Sequence, residues 1–124
     1  MVDTLEFLHR GGRIGGAQRF LGTALNFKPI LEVKDGAFEG LERVRTRVKA
    51  LNRLVELLIE RVGDRRPIHL GVLHANAQEL AEDLLEMVSQ KVDLAQSIIS
   101  ELCPAVGVHL GPGAVGLTFM AGIE

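Results

Sequence analysis

The stretch GGRIGGAQRFLGTALNFKPIL, residues 11–31, joins a glycine cluster to an apolar segment with helical spacing and to the start of a strand. Glycines on both sides of Arg13 let backbone N–H groups and a guanidinium converge on one point, which is the geometry that an anion requires. The alternative is a loop and helix cap whose arginine is solvated. The spacing matches neither the P-loop nor the dinucleotide fingerprint, so the glycine pattern alone favours that alternative.

The residues flanking this stretch predict two short helices and a β-hairpin. Gly11–Gly12 ends the first helix, and Asp35–Gly36 is the dipeptide favoured in a two-residue hairpin turn. Pro29 indicates an edge strand or the beginning of a strand, because proline donates no backbone hydrogen bond. The predicted elements are a helix over 4–9, a helix over 16–25, a strand over 28–33 and a returning strand over 37–43.

The middle of the chain predicts a helix, a buried strand and a second helix. Thr46 stands where an N-cap belongs, and Gly63 ends the helix that follows. The nearly continuous apolar run over 67–74 indicates a central strand. Asn76 and Glu79 have the spacing of a capping box. The first helix is predicted to bury Val48, Leu51, Leu54, Val55, Leu58, Ile59 and Val62, and the second Ala77, Leu80, Ala81, Leu84, Leu85 and Val88.

The last third of the chain is less clearly patterned. Residues 93–102 fit either a helix or a strand, because short apolar runs do not separate the two. We predict a strand over 105–110, a tight turn at 111–113 and a final strand over 115–121. Strands and helices alternate, with a hairpin at one end, so we expect a single-domain α/β fold in which helices pack on a mixed β-sheet.

Composition excludes several classes of function. A chain of 124 residues with 47% hydrophobic residues can form a core of its own. The net charge of −2 argues against a nucleic-acid binder, and no apolar run is long enough to span a bilayer. We expect a cytoplasmic protein, because no leader pattern follows Met1. The single cysteine, Cys103, is expected to be a buried and unreactive thiol.

Few residues carry potential chemistry. His109 precedes a glycine-rich turn and could donate to a carboxylate or phosphate oxygen, or it could simply hydrogen-bond that turn. His74 is assigned a structural role. Arg45 and Arg47 lie at a helix start, where cations gain nothing from the helix dipole, which hints at a functional use. The four histidines lack metal-site spacing, and no cofactor is predicted. The carboxylates expected on a solvated helix face are Glu79, Glu82, Asp83 and Glu86.

Three segments together resemble a known family. They are GGRIGGAQRFLGTALNFKPILEVKDG (11–36), LERVRTRVKAL (41–51) and GVHLGPGAVGLTF (107–119). In combination they are similar to the carboxy-terminal part of the DegV family of bacterial fatty-acid-binding proteins. The resemblance covers nearly the whole chain, 1–124, and implies a domain like the carboxy-terminal domain of that family. It also implies a strand over 97–102.

The resemblance implies a ligand and its site. Family members bind one long-chain fatty acid, hold its carboxylate at a domain junction and bury its tail. Some present it to a fatty acid kinase. The family histidine before Gly-Pro-Gly matches His109, and the arginine of its Gly-Arg-Ile loop matches Arg13, so these two would hold the carboxylate. Arg45, Gly111 and Gly113 would lie in the head-group or partner region.

Two departures from the family pattern bear on function. The family's usual serine after Gly-Arg-Ile is Gly15 here, which removes a hydroxyl group. The amino-terminal domain, which supplies further hydroxyl ligands, has no counterpart in this sequence. We therefore expect an apolar face to be covered by self-association into a homo-oligomer, or the tail to occupy a different pocket.

Three classes of function remain open. The first is a lipid-binding module without catalytic activity of its own. The second is an interaction module that docks a kinase or another chain through Arg45 and Arg47 and binds no lipid. The third is an enzyme acting through Arg13 and His109, which ranks last because no nucleophile or metal site supports it.

Overall fold

The computed structural model describes residues 1–20 and 27–123. Helices and strands alternate there in a single-domain α/β fold with a mixed sheet, which confirms the predicted fold class. The elements are α1 (Glu6–Arg10), a 3-10 helix (Gly15–Phe20), β1 (Lys28–Lys34), β2 (Ala37–Val44), α2 (Arg47–Val62), β3 (Ile68–His74), α3 (Gln78–Lys91), β4 (Gln96–Glu101), α4 (Pro104–Leu110) and β5 (Val115–Ala121).

The predicted hairpin is confirmed. Strands β1 and β2 pair antiparallel, and the turn residues Asp35 and Gly36 have φ angles of 52° and 78°. Positive φ at both positions is the signature of the type I′ turn, whose twist matches that of the strands. The register shifts between Ile30 and Leu31, so β2 has one extra residue at a bulge.

A second sheet contains three strands in the order β4–β3–β5. The central strand β3 runs parallel to β4 and antiparallel to β5. Ile68, Leu70 and Val72 of β3 are at most 3% exposed and belong to the main core with α2 and α3. Because side chains alternate along a strand, the residues between them lie on the opposite, outer face of this sheet.

The first two residues connect the two sheets. The Met1 amino group donates to the Val115 carbonyl oxygen at 2.8 Å, and the Val115 N–H donates back to Met1 at 3.0 Å. On the other side, the Val2 N–H donates to the Pro29 carbonyl oxygen at 3.1 Å. The pair therefore lies as a short strand between β5 and β1.

Helix α2 begins and ends as predicted, but its buried face differs in part. The Thr46 hydroxyl oxygen accepts from the Lys49 N–H at 3.1 Å, and Gly63 follows the helix with a positive φ of 59°. Val48 is 68% exposed, contrary to the prediction, and Ile59 is 36% exposed. The apolar residues of α2 thus cover a wider part of its surface than the part that packs against the core. The buried residues are Ala50, Leu51, Leu54, Val55, Leu58 and Val62.

The predicted capping box at Asn76 and Glu79 is wrong. Helix α3 begins at Gln78 with Ala77 as its N-cap, and Asn76 adopts a positive φ of 49°. The acceptor at this end is a histidine: the Ala77 N–H donates to Nδ1 of His74 at 3.0 Å. The strand thus caps the helix that follows it, which a pattern confined to the helix start does not reveal.

The strand predicted over 105–110 is also wrong, because these residues form α4. Cys103 has extended backbone angles and Pro104 is the first helical residue, a position where its missing N–H costs no hydrogen bond. The alternative raised by the resemblance for the preceding stretch is confirmed, since β4 is a strand. Of the helix predicted over 16–25, residues 16–20 belong to the 3-10 helix, and residues 21–25 lie outside the described part.

Candidate functional site

The two glycine-rich turns meet at Gly11. The guanidinium Nη1 of Arg13 donates to the Gly11 carbonyl oxygen at 2.7 Å. On the other side of the residue, a Cβ built on Gly11 would lie 2.8 Å from Cε1 of His109 and closer still to Nδ1. The structure thus brings both predicted carboxylate-binding side chains, Arg13 and His109, to one residue.

Local packing explains why these turns meet. Leu8 of α1 is fully buried, and the Arg13 N–H donates to its carbonyl oxygen at 2.9 Å, which folds the chain back after α1. Gly111 follows the last residue of α4, has a φ of 83°, and its α-carbon lies against the Phe7 ring. A side chain at Gly111 would need a strained backbone and would overlap that ring.

The two side chains are available to a ligand. His109 is half-buried in the last turn of α4, and neither ring nitrogen has a hydrogen-bond partner within residues 1–20 and 27–123. His109 therefore does not hydrogen-bond the glycine-rich turn that follows it, which was the alternative left open by the sequence. Arg13 is exposed, and its bond to the Gly11 carbonyl oxygen uses only some of the N–H donors of its guanidinium. The arrangement can donate to an anion.

The other predicted head-group residues have different surroundings. Gly113 lies against the carboxylate of Asp3, because a Cβ there would be 2.6 Å from Oδ2. Asp3 also accepts from Arg47 at 3.0 Å and pairs with Lys28 at 3.4 Å. Arg47 thus has an internal partner. Arg45 is exposed, with its guanidinium carbon 6.0 Å from the centre of the Phe27 ring.

Two largely apolar cavities lie on the sheets, and one of them reaches the residue after His109. One, of about 440 Å³, lies between β1 and β5 and is lined by residues that include Leu102 and Leu110, the neighbour of His109. The other, of about 670 Å³, lies on the outer face of the three-stranded sheet. Thr118 and Phe119 line both cavities, so the two adjoin. Each volume falls within the range typical of small-molecule sites.

Sequence reasoning missed the residues of the outer face. Gly71 of β3 lies opposite Thr118 of β5, and Leu73 lies opposite Gly116. Because neither glycine has a side chain, the two positions leave a depression on the outer face of the three-stranded sheet. Ile98 of β4 and Met120 of β5, on the strands that flank β3, are 65% and 55% exposed. The available signal was a glycine inside each predicted strand, which often marks close approach of a ligand.

A third cavity, of about 520 Å³, is polar and lies at the start of α3. Carboxylates of Glu79, Asp83 and Glu101 are among its lining groups, which makes it unsuited to an anion. His74 is 3% exposed and both of its ring nitrogens contact protein groups, in agreement with its predicted structural role. No cluster of three or more His, Cys, Asp or Glu residues suited to a metal occurs in the described part of the chain.

The thiol of Cys103 is exposed, so the prediction that it is buried is wrong. Cys103 directly precedes α4, and its carbonyl oxygen accepts hydrogen bonds from the first turn of that helix. None of the helices within the described ranges is long and apolar enough to cross a membrane.

Comparison with known proteins assigns the family. The family model of DegV, described as an uncharacterised protein family, matches residues 1–122. The chain belongs to the DegV family. A DegV domain-containing protein of Streptomyces coelicolor is 43% identical over 117 residues, which are 94% of this chain and 41% of that relative.

Solved DegV structures share the fold. A fatty-acid-binding DegV family protein from Thermus thermophilus has a TM-score of 0.90 at 36% identity over 97% of this chain and 43% of its own. DegV of Bacillus subtilis, described as a fatty acid binding protein, has a TM-score of 0.79 at 39% identity over 96% of this chain and 42% of its own. This chain therefore spans less than half the length of these relatives.

Proposed function

We propose that this chain binds one long-chain fatty acid as its carboxylate anion and has no catalytic role of its own. The observation that carries the proposal is the meeting of Arg13 and His109 at Gly11, near an apolar cavity lined by Leu110, the neighbour of His109. Two DegV relatives of similar structure are described as fatty-acid-binding proteins. A carboxylate joined to a long apolar tail is the ligand class that matches both parts of the site.

The head group would accept hydrogen bonds from Arg13 and from an N–H of His109. Hydrogen bonds to an ionised acceptor such as a carboxylate are roughly twice as strong as bonds between neutral groups, so two of them fix the orientation of the acid. Gly11 allows both donors to approach the same point because it has no side chain between them.

The tail would lie on the outer face of the three-stranded sheet, in a groove that runs over Gly116 and Gly71. Strands rise about 3.3 Å per residue, so the five residues from Leu73 to His69 offer a path of roughly 15 Å. Burial of each methylene contributes about 0.8 kcal/mol, so about ten buried methylenes contribute roughly 8 kcal/mol. The tail would thus supply most of the affinity.

Native mass spectrometry of protein expressed in bacteria tests the head-group assignment. We expect His109→Ala to lose most of the co-purifying fatty acid, whereas the matched control His9→Ala, in which an exposed histidine of α1 is removed, retains it. Equal loading of His109→Ala and the unchanged protein would rule out the carboxylate contact.

The tail path is tested separately by Gly116→Val. A Cβ at Gly116 has no neighbour within 4 Å, so valine fills the groove without a clash in the strand. We expect loss of fatty acids with long chains and an unchanged melting temperature. Thr118→Val, which keeps the shape of the side chain, is the control. Loading of Gly116→Val at the level of the unchanged protein would exclude this path.

A second candidate function is docking of a partner protein, such as a fatty acid kinase. Arg45 favours it, because this cation is exposed beside Phe27 at the start of α2 and has no carboxylate partner in the described part of the chain. A pull-down with a fatty acid kinase, repeated after lipid removal, tests it. Capture that is lost in Arg45→Ala but insensitive to lipid would favour docking as the primary function.

A further inference from the structure

The Asp3 carboxylate joins the beginnings of two elements. Both of its oxygens accept from Nη2 of Arg47, the first residue of α2, at 3.0 Å. Nζ of Lys28, the first residue of β1, lies 3.4 Å from Oδ1. The side chain of Asp3 is 28% exposed, so these ion pairs are partly shielded from water. One carboxylate and two cations leave this cluster with a net positive charge.

The same carboxylate lies against the glycine-rich turn that follows α4. A Cβ built on Gly113 would lie 2.6 Å from Oδ2 of Asp3 and 3.0 Å from its Cγ. The Gly113 N–H donates to the Ala75 carbonyl oxygen at 2.8 Å. Gly113 is therefore held by two groups, the Asp3 side chain and the backbone of the residue that follows β3.

This turn is connected closely to the helix that carries His109. The Gly111 N–H donates to the Gly107 carbonyl oxygen in α4 at 2.9 Å. Only Gly111 and Pro112 separate α4 from Gly113, and the proline ring fixes one of the φ angles between them. A displacement of Gly113 would therefore move the last turn of α4, and with it the imidazole of His109.

Asp3 explains the position of Arg47. A cation in the first turn of a helix gains nothing from the helix dipole. Arg47 nevertheless occupies that position in α2, and its guanidinium donates to the Asp3 carboxylate. The contact also has an electrostatic consequence. An uncompensated carboxylate beside the turn would repel an anion bound at His109, and the guanidinium cancels that charge.

We propose that Asp3 and Arg47 form a positioning pair for the head-group site. The Asp3 carboxylate, fixed by Arg47, holds the turn at Gly113 and thereby sets the position of the His109 imidazole. Arg47 in turn cancels the charge of Asp3, so that the site keeps its affinity for a carboxylate anion. Neither side chain of the pair contacts the fatty acid. This role rests on the proposed function, because it serves the same carboxylate site.

Calorimetric titration of delipidated protein with hexadecanoate tests the charge of the pair. We expect Arg47→Ala to weaken binding about tenfold, because residues of one ion-pair network are coupled and Asp3 then keeps only Lys28. Asp3→Asn combined with Arg47→Ala should restore binding to within about threefold of the unchanged protein. Arg53→Ala is the matched control, because this arginine of α2 likewise donates to both oxygens of one carboxylate, that of Glu42.

Imidazole resonances of the lipid-free protein test the position of the turn. Asp3→Ala removes the contact with Gly113, so we expect the His109 resonances to shift. Those of His69, near the start of β3, should remain unchanged. Asp3→Asn keeps the shape of the side chain and an oxygen for Arg47, so it should keep the His109 resonances in place and guards against a variant that fails to fold.

Hexadecanoate binding by Arg47→Ala at the level of the unchanged protein would overturn the proposal. So would a double variant that binds no better than Arg47→Ala, since that result indicates direct contact between Arg47 and the ligand. Unchanged His109 resonances in Asp3→Ala would exclude the positioning role. No binding by the unchanged protein would instead refute the proposed function, and the resonances alone would then decide whether Asp3 positions His109.

Discussion

At the scale of single residues, Gly11 joins the two halves of the candidate head-group site. Its carbonyl oxygen accepts from Arg13, and its α-carbon faces the imidazole of His109. Any side chain at this position would occupy the space of the ring. The glycine requirement here arises from close approach, because φ at Gly11 is −81°, whereas φ at Gly12 is 70°.

Gly11→Ala should displace the imidazole of His109 and reduce fatty-acid loading several-fold. The methyl group would overlap the ring, so the ring must move from its present position. The measurement is lipid loading by native mass spectrometry together with the imidazole resonances of His109. Gly12→Ala is the control, because it strains the backbone by about 1 kcal/mol but contacts nothing within 4 Å. Equal loading of the two variants would contradict the contact.

The buried Met1 amino group predicts a pH dependence of stability. Its pKa is about 5 in the folded chain, against an ordinary value of 8.0 when exposed to water, so between these values the unfolded chain binds more protons. The free energy of unfolding should therefore rise from pH 5 to pH 8 and level off above it, by at most about 4 kcal/mol from this group.

Acetylation of Met1 isolates this effect from the histidines. The acetylated chain keeps an N–H for Val115 but cannot be protonated, so its stability should rise less between pH 5 and pH 8. Urea unfolding of both forms across this range measures the difference. Identical pH profiles for the two forms would show that the amino group does not remain buried.

At the residue scale, the sequence singled out Arg13 and His109 as candidate ligands, and the structure places both side chains at Gly11. Arg13 and His109 could be singled out because each lies beside glycines, where backbone can approach a ligand. The exposure of Cys103 could not be predicted, because it depends on α4 lying at the surface rather than within the sheet. The capping role of His74 depends on a contact between a strand end and a helix start.

At the scale of elements, α4 shows that the spacing of apolar residues does not identify a short helix. The strand predicted over 105–110 is a helix of seven residues, and its Val106 and Val108 are exposed. Pro104 at the first helical position was the contrary signal. The longer elements α2 and α3 were predictable because three or more turns repeat the same apolar spacing, and a seven-residue helix does not.

Gly107→Ala should stabilise the protein by about 0.5–1 kcal/mol. Alanine favours a helix interior over glycine by this amount, and a Cβ at Gly107 would have only the Leu102 carbonyl oxygen within 4.0 Å. Urea denaturation measures the change. Gly63→Ala, at a positive φ of 59° after α2, is the matched control and should destabilise the protein. A loss of stability in Gly107→Ala would argue against α4.

At the scale of the whole molecule, helices cover one face of the three-stranded sheet more fully than the other. Ile68 and Val72 on the inner face have no exposed surface, whereas Ile98 and Met120 on the outer face are mostly exposed. The sequence predicted a mixed sheet with packed helices. It could not predict the separation into two sheets, because this depends on where Met1 and Val2 insert between β1 and β5.

We expect the lipid-free chain to associate through this outer face. Exposed apolar patches are disfavoured in water, and a second copy would cover Ile98 and Met120. Loading with fatty acid should weaken the association, because the tail would cover the same surface. Sedimentation velocity over a range of protein concentrations measures both states. Ile98→Ser should give a smaller fraction of dimer, and Val48→Ser, on exposed α2 surface, serves as the control. Monomers at every concentration without lipid would contradict the expectation.

The exposed Cys103 has a practical consequence. The chain contains no tryptophan and no tyrosine, so intrinsic fluorescence offers little to follow ligand uptake. One accessible thiol at the start of α4 accepts a single maleimide dye without further mutagenesis. Since His109 lies in the last turn of the same short helix, a dye at Cys103 would report changes near the head-group site in real time.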